Sequence, residues 1–312
     1  MIYTVTLNAA LDKTVRIREF TIGSLNRVES VHLEAGGKGI NVAKAIRSLE
    51  HDCVAMGFLG GAAGDIIEDR LSSLGIVCDF VRVTGDTRTN IKIVDPVTQT
   101  VTEINESGTE ILPGELEVLE NRLLQRVLPG DTVIFSGSIP PGIDNDIYAR
   151  WIRVLREAGV VTMLDADGKA FRSGVAEAPS AVKPNLPELA RFCDKRSLAV
   201  CDVGQEAEVL LQKGIETIIV SMGTEGALFF CEHGAWQSPA LDIDVKSTVG
   251  AGDAMVAAWA VARELNMTTQ EMLRFAVAAA SATVITGEAG SFPKRLVEEL
   301  LRQVKIDPYP EI

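Results

Sequence analysis

The segment Ser247-Thr248-Val249-Gly250-Ala251-Gly252-Asp253-Ala254 gathers the residue types that phosphoryl chemistry requires. Two glycines and a carboxylate stand at the start of an apolar helical stretch, Ala254 to Ala262. Glycine lets backbone N–H groups crowd around an anion, and a helix N-terminus adds partial positive charge at the same point. Gly250, Ala251 and Gly252 therefore read as an anion hole. Asp253, in the first turn, is placed to take a proton from a hydroxyl while the amides hold a transferring phosphoryl group; a simple capping carboxylate would have the same sequence.

Two more clusters carry chemistry. Ala35-Gly36-Gly37-Lys38-Gly39-Ile40-Asn41 sets three glycines around one lysine ahead of a helix. That pattern suits close backbone approach to a polar ligand whose charge Lys38 neutralises, or a tight turn bearing a solvated lysine. Lys183-Pro184-Asn185-Leu186-Pro187-Glu188 follows a strand and opens a helix, with an amide and a carboxylate three residues apart. Such a pair can organise Mg²⁺ waters and phosphate oxygens, or merely start and cap a helix. Familiar nucleotide motifs fail: Gly37-Lys38 is followed by Gly39 and Gly168-Lys169 by Ala170, so neither is a Walker A loop. Gly37-Lys38-Gly39 and Gly250-Ala251-Gly252 begin like G-x-G-x-x-G but lack the final glycine. With three histidines, no H-E-x-x-H and no G-x-S-x-G, metalloprotease and triad chemistry is poorly supported.

The elements that must position these residues alternate between strand and helix, the pattern of a doubly wound, mostly parallel α/β sheet. The spacing predicts a helix over Asn41 to Glu50, a strand over Cys53 to Leu59 and a helix from Asp65 to Leu74. Further on it predicts a strand over Thr132 to Phe135, a helix over Ile147 to Ala158 and a strand over Val160 to Leu164. Glu206 to Lys213 then leads into a strand over Thr217 to Val220, and the C-terminal third is helical over Asp253 to Glu264, Thr269 to Thr286 and Pro293 to Val304. Residues 13–34 and 87–110 alternate polar and apolar without a helical period, and are expected to form a small discontinuous β-sheet. It is read as a lid over the C-terminal edge of the parallel core, which then comprises 1–12, 35–86 and 111–312. A pair of ordinary edge hairpins is the plainer alternative.

Composition narrows the function classes. The 312 residues are 46% hydrophobic and 23% charged, and 43 acidic against 30 basic side chains give a net charge of −13. That excludes a disordered chain and disfavours nucleic acid, whose backbone needs clustered cations. The five cysteines contain no C-x-x-C and are expected to be free thiols in a reducing compartment, the cytoplasm. The opening residues predict a strand, not a signal peptide. The longest uncharged stretch found, Phe275 to Gly287, has 13 residues against the ~20 of a membrane helix, so no membrane partner is expected.

In this order the motifs resemble those of the PfkB family of carbohydrate kinases, within the ribokinase-like superfamily, and the likeness spans essentially the whole chain. Such proteins carry a G-G-x-G-x-N segment, a central N-x-x-E and a G-A-G-D toward the C-terminus. The opening Thr6-Leu7-Asn8-Ala9-Ala10-Leu11-Asp12, Gly57 to Gly61 and Thr87-Arg88-Thr89-Asn90 look like the subgroup acting on phosphorylated ketohexoses, although Ala9 replaces the usual proline. The resemblance implies ATP and Mg²⁺ as cofactors and a ketohexose monophosphate as substrate. Fructose 1-phosphate is favoured, with tagatose 6-phosphate as the alternative, fructose 6-phosphate behind it, and a silent sugar-phosphate or nucleotide sensor as a different class. It further implies that Asp12, Gly37 and Asn41 hold sugar hydroxyls, with Gly39 and Asn90 beside them. Lys38 and Arg88 would take the existing phosphate, and Ser136 and Ser138 would line the same cleft. Lys183, Asn185, Glu188, Ser221, Gly223 and Thr248 would line the ATP side, with Asn185 and Glu188 reaching Mg²⁺ through water. Ala279 and Ser281 are expected near adenine, a monovalent cation near Ser247 and Thr286, and a homodimer through the lid. Since the substrates are anions, an acidic surface should enclose a local cationic cleft built from Lys38, Arg88, Mg²⁺ and helix N-termini.

Overall fold

The computed structural model describes residues 1–310. In chain order the strands are β1 (Ile2–Thr6), β2 (Ala10–Arg16), β3 (Ser30–Gly36), β4 (Cys53–Leu59), β5 (Val77–Arg82), β6 (Arg88–Asp95), β7 (Thr100–Ile104), β8 (Thr132–Ser136), β9 (Val161–Asp165), β10 (Ala181–Val182), β11 (Thr217–Ser221), β12 (Ala227–Cys231), β13 (Gly234–Ser238) and β14 (Asp307–Pro308). The helices are α1 (Lys38–Ser48), α2 (Gly61–Ser73), α3 (Pro113–Arg126), α4 (Ile147–Glu157), α5 (Gly168–Val175), α6 (Leu186–Phe192), α7 (Val203–Gln212), α8 (Ala251–Glu264), α9 (Thr269–Thr286) and α10 (Lys294–Leu301).

Ten strands form one sheet in the order β14-β13-β12-β11-β10-β9-β8-β1-β4-β5, parallel from β11 to β5 and antiparallel in the β12–β14 edge. The expected mostly parallel, doubly wound α/β core is therefore what the chain forms. Alternate residues of each strand serve opposite faces. Ile2, Cys53, Ala55 and Leu59 join the core beneath α1, α2, α8, α9 and α10, whereas Tyr3, Val5, Val54, Met56 and Phe58 join that beneath α3 to α7. With both faces covered, β1, β4 and β8 are buried at every residue, which is why they read as continuous apolar runs. β1 is the switch point: β4 lies on one side of it and β8 on the other, so the crevice at their carboxyl ends is where such sheets bind ligands.

A separate four-stranded sheet, ordered β3-β2-β6-β7, is rooted at that crevice. β2 starts four residues after β1 ends, and β3 stops two residues before α1. Pairing puts Asp12 opposite Glu34 on one side and Asn90 on the other. Asp95 ties the far end together by accepting the N–H groups of Glu19 at 3.1 Å, Phe20 at 2.9 Å and Val97 at 2.9 Å. The strands run closer to the core than the sequence boundaries, taking in 10–12 and 35–36. Those residues are mostly buried and small or apolar, so polar–apolar alternation does not mark them. α3, α5, β5 and the β12–β13 hairpin were also not anticipated. α1 and α2 start three and four residues before the expected Asn41 and Asp65, because Gly37 and Gly39 flank the first residue of α1 and Gly61 opens α2, and local propensity disfavours glycine in a helix.

Candidate active site

Asp253 occupies the first turn of α8 with only 6% of its surface exposed. Gly250, at φ +81°, turns the chain into the helix; a Cβ there would meet Ala289 Cβ at 2.7 Å, so glycine is needed twice over. Among the described residues, the N–H groups of Gly252 and Asp253 have no backbone acceptor, while Ala251 donates to Thr248 O at 3.3 Å. The first-turn donors thus remain available for an anion. Asn41, from α1, donates Nδ2 to Asp253 Oδ2 at 2.9 Å. Burial, reinforced by the charge of Asp165, pushes the Asp253 carboxyl up to about 6 against the opposing pull of Asn41, Lys38 and Lys183.

Asp165, at the end of β9 and wholly buried, was not singled out from the sequence. Its Oδ1 lies 3.0 Å from Lys38 Nζ and 3.7 Å from Lys183 Nζ, while Oδ2 is buried with no partner. Burial alone would raise its pKa, but the two ammonium groups outweigh that and hold it below the usual carboxylate range. Lys38 also sits 3.7 Å from Glu188 Oε1; despite burial, Asp165, Glu188 and Asp253 drive its pKa upward, so it stays charged. The carboxylates of β9 and α6 thus hold the Lys38 ammonium on the Asp253 side of the site. Lys183 approaches the anion hole directly: a Cβ on Gly252 would lie 2.9 Å from its Nζ.

Asn185 and Glu188 form a reciprocal cap on α6, with Glu188 N–H donating to Asn185 Oδ1 and Asn185 N–H donating to Glu188 Oε2, both at 2.8 Å. The cap holds both side chains in place at the start of α6, and Asn185 Oδ1, which accepts this one hydrogen bond, keeps a second lone pair. Of the two acids here, Glu188 Oε1 and Asp165 Oδ2 are the carboxylate oxygens without a hydrogen-bond partner. Among the described residues no cluster of three or more His, Cys, Asp or Glu could hold a metal by itself. Mg²⁺ commonly takes one or two carboxylates plus waters and substrate phosphates, and this pair fits that habit.

The small sheet furnishes a second polar end. Asp12 accepts Asn90 Nδ2 at 2.9 Å, and burial raises its pKa against that bond and against Lys44. Arg88 donates Nη1 to Glu106 O at 2.8 Å and Nη2 to Asn8 O at 3.1 Å, while its Nε is buried without a partner. Its charged neighbours are Asp12 and Glu106, none of which is a partner of Lys38, so the two cations serve different ends. Ser136 is fully buried with its Oγ unpartnered, and exposed Ser138 accepts from Asn8 Nδ2 at 3.1 Å. Gly37, at φ +110°, caps α1. Gly39 faces the protein: a Cβ there would strike Thr6 Oγ1 at 2.3 Å, so packing on β1 demands this glycine without reference to a ligand.

The remaining expectations fall variously. Ser221 bridges to Asn185 at the end of β11, Gly223 lies exposed two residues further on, and Thr248 is exposed in the loop before α8. Ala279 has no exposed surface, because the alanine-rich faces of α8 and α9 pack on each other; it cannot offer adenine a contact, and Ser281 is nearly as enclosed. Ser247 and Thr286 have their bonds taken locally: Ser247 Oγ accepts Val249 N–H at 3.2 Å, and Thr286 Oγ1 is donated to Ser291 O at 3.0 Å or Thr283 O at 3.1 Å. Two residues besides Asp165 escaped sequence reasoning. Asn8 is discussed below. Lys44 is buried on α1 with Nζ donating to Ala35 O at 3.0 Å, and burial lowers its pKa against Glu34, Asp12 and Asp253. A lysine on the apolar face of a helix, and an acid ending a predicted parallel strand, were the available signals.

The model of the pfkB family carbohydrate kinases matches residues 5–295. The 1-phosphofructokinase of Borreliella burgdorferi is 33% identical over 308 residues, 98% of each chain. Phosphofructokinase-2 from Escherichia coli, solved in complex with substrates and products, superposes with a TM-score of 0.91 at 28% identity, covering 97% of this chain and 98% of that one. Ribokinase from Thermotoga maritima shares the fold with a TM-score of 0.79 at 21% identity, over 97% and 99% of the two chains. The chain belongs to the pfkB family of carbohydrate kinases, phosphotransferases with a ribokinase-like fold.

Proposed function

We propose that the protein transfers a phosphoryl group from ATP to the free terminal hydroxyl of a ketohexose monophosphate, with fructose 1-phosphate as substrate and fructose 1,6-bisphosphate as product. The observation that carries the sugar-phosphate reading is Arg88. Its guanidinium is pinned by two backbone carbonyls at an end of the cleft whose charged groups differ from those around Asp253, so one site offers two separate places for phosphate. The 33% identical 1-phosphofructokinase points to fructose 1-phosphate as the occupant.

In this reading Asp12 and Asn41 orient the sugar, and Arg88 takes the phosphate it already carries. Asp253 accepts the proton of the attacking hydroxyl; its raised pKa makes it a better base than an ordinary aspartate while leaving it ionised at neutral pH. Gly252 and Asp253 amides, with Lys38 and Lys183, receive the transferring group, and positioning with electrostatic stabilisation supplies most of the acceleration. Glu188 and Asp165 would hold Mg²⁺ through water, and the ion, when bound, neutralises charge on the nucleotide phosphates. A buried, ionised Asp253 is costly in a mere binding protein, which favours the enzyme over a silent sensor.

Turnover of purified protein with ATP and Mg²⁺ on fructose 1-phosphate, tagatose 6-phosphate and fructose 6-phosphate tests this directly. The highest kcat/KM is expected for fructose 1-phosphate; a higher value on another substrate reassigns it, and no turnover on any removes the enzyme reading. The small sheet is also proposed as the contact of a homodimer, since its outer strands expose Val31, Val101 and Ile104 by about half. Sedimentation at a monomer's mass would reject that pairing. Among the described residues no helix is long and apolar enough to cross a membrane.

A further inference from the structure

We propose that Asn8 is a positioning residue that latches the loop 105–110 onto the core and thereby fixes the phosphate end of the sugar site; this rests on the reading of Arg88 given above. Asn8 ends the first strand's crossing into the small sheet and is 8% exposed. Both hydrogens of its amide are used: Nδ2 donates to Ser107 O at 3.0 Å and to Ser138 Oγ at 3.1 Å. One side chain thus joins three segments distant in sequence: the β1–β2 connection, the loop after β7 and the loop after β8. Its Oδ1 packs on Gly108, where a Cβ would come within 2.3 Å and where φ is +98°, so that glycine fits both the turn and the latch.

The latch bears on Arg88 from two sides. Asn8 O accepts Arg88 Nη2, and the loop held by the Asn8 side chain supplies Glu106 O for Nη1. The same Glu106 accepts the Thr89 N–H through Oε2 at 2.9 Å, tying loop and β6 together once more. Asn105-Glu106-Ser107-Gly108-Thr109-Glu110 has no apolar side chain to bury and no regular structure, so hydrogen bonds must hold it. No side chain around Asp253, Lys38, Lys183 or Glu188 is hydrogen-bonded into this network, which approaches them through the backbone of Gly137, whose N–H donates to Asp165 O at 3.0 Å, so the nucleotide end should register little of its loss.

Asn8→Ala removes the latch without adding bulk. The expected result is a KM for fructose 1-phosphate raised about tenfold, a KM for ATP unchanged and a kcat within about threefold of wild type, with faster hydrogen exchange of amides 105–110 and none in α8. Gly108→Ala attacks the same contact from the loop and should give the same KM split; the double variant should be no worse than the harsher single one, since both break one unit. A wild-type KM and loop protection in Asn8→Ala overturn the latch, as does an equal rise in both KM values with a lowered Tm. Calorimetric titration of the wild-type protein with the three ketohexose monophosphates separates the two readings: no binding removes the sugar-phosphate site and the latch with it, while binding with an unaffected Asn8→Ala removes the latch alone.

Discussion

Asp253→Asn tests the catalytic base and the electrostatics around it together. The variant keeps the side chain's shape and lets an amide oxygen accept from Asn41, but it removes the proton acceptor. Loss of a positioned general base costs about 10²- to 10⁴-fold, so kcat should fall by about 10³-fold while the KM for ATP stays within about threefold. The wild-type pH profile follows from the carboxyl being raised to about 6. Only the ionised form is a base, so activity is lost as pH falls through that value: at pH 5 about a tenth of the molecules are competent, against more than nine-tenths for an aspartate near 3.9.

The same shift makes a stability claim. A carboxyl whose folded pKa is raised contributes stability that is fully present below its unfolded value of 3.8 and lost as pH rises through about 6. The difference of roughly 2 units corresponds to about 3 kcal/mol, the cost of keeping this charge buried beside Asp165 at neutral pH. Asp253→Asn relieves it, so the inactive variant should be the more stable protein at pH 7.5, by up to about 3 kcal/mol, with the gap closing by pH 4. Paired kinetics and denaturant unfolding at pH 4, 6 and 7.5 read both effects. A variant that keeps near-normal kcat, or one less stable than wild type at pH 7.5, would refute the account of Asp253 as a strained base.

Other outcomes separate the two ends of the cleft. Arg88→Ala should raise the KM for the sugar monophosphate by about 10- to 100-fold, the range of one charge-assisted contact, with the KM for ATP unmoved; an unchanged sugar KM places the phosphate elsewhere. Lys38→Met should instead lower kcat about a hundredfold with the sugar KM within about threefold, because its ammonium lies against Asp165 and Glu188; a KM rise like that of Arg88→Ala would return it to the sugar phosphate. Gly252→Ala pushes a methyl toward Lys183 Nζ and should cost kcat with little change in Tm, whereas Gly250→Ala, at positive φ and against Ala289, should lower Tm by several degrees. Equal Tm losses in both would remove the anion-hole distinction.

What the sequence showed of the fold was whatever burial writes into periodicity. The parallel strands are covered on both faces and read as apolar runs, and α9 covers the expected Thr269 to Thr286, bounded in the structure by the reciprocal cap of Thr268 and Glu271 and by Gly287 in a left-handed turn. Elements that begin against such cues start earlier than expected: close packing on Thr6 demands the glycines at 37 and 39 around the start of α1, and Asp86 demands Gly61 at the start of α2. Lys38, Asn185 and Glu188 were legible because they stand where a strand passes into a helix, and Asp253 because glycines precede it at the start of α8. Asp165 ends a strand and Asn8 joins β1 to β2, but the bonds Asp165 makes to Lys38 and Asn8 makes to Ser107 and Ser138 span more than 90 residues, and no spacing along the chain records that.

The expected cationic cleft changes most on inspection. Around Asp253 the structure sets Lys38 and Lys183 among Asp165, Glu188 and Asp253, two positive charges against three negative, so this end has no net positive charge to attract a nucleotide. Lysines already held by Asp165 can receive a phosphate only by sharing or exchanging partners, and the free attraction must come from the N–H groups opening α8 and from the metal that accompanies the nucleotide. That makes Asp165 a brake on anion binding in the empty site and a spacer that keeps two ammonium groups from repelling each other. The acidic balance of the whole chain therefore continues around Asp253, where directed amides, not a pool of positive charge, offer the place for an anion.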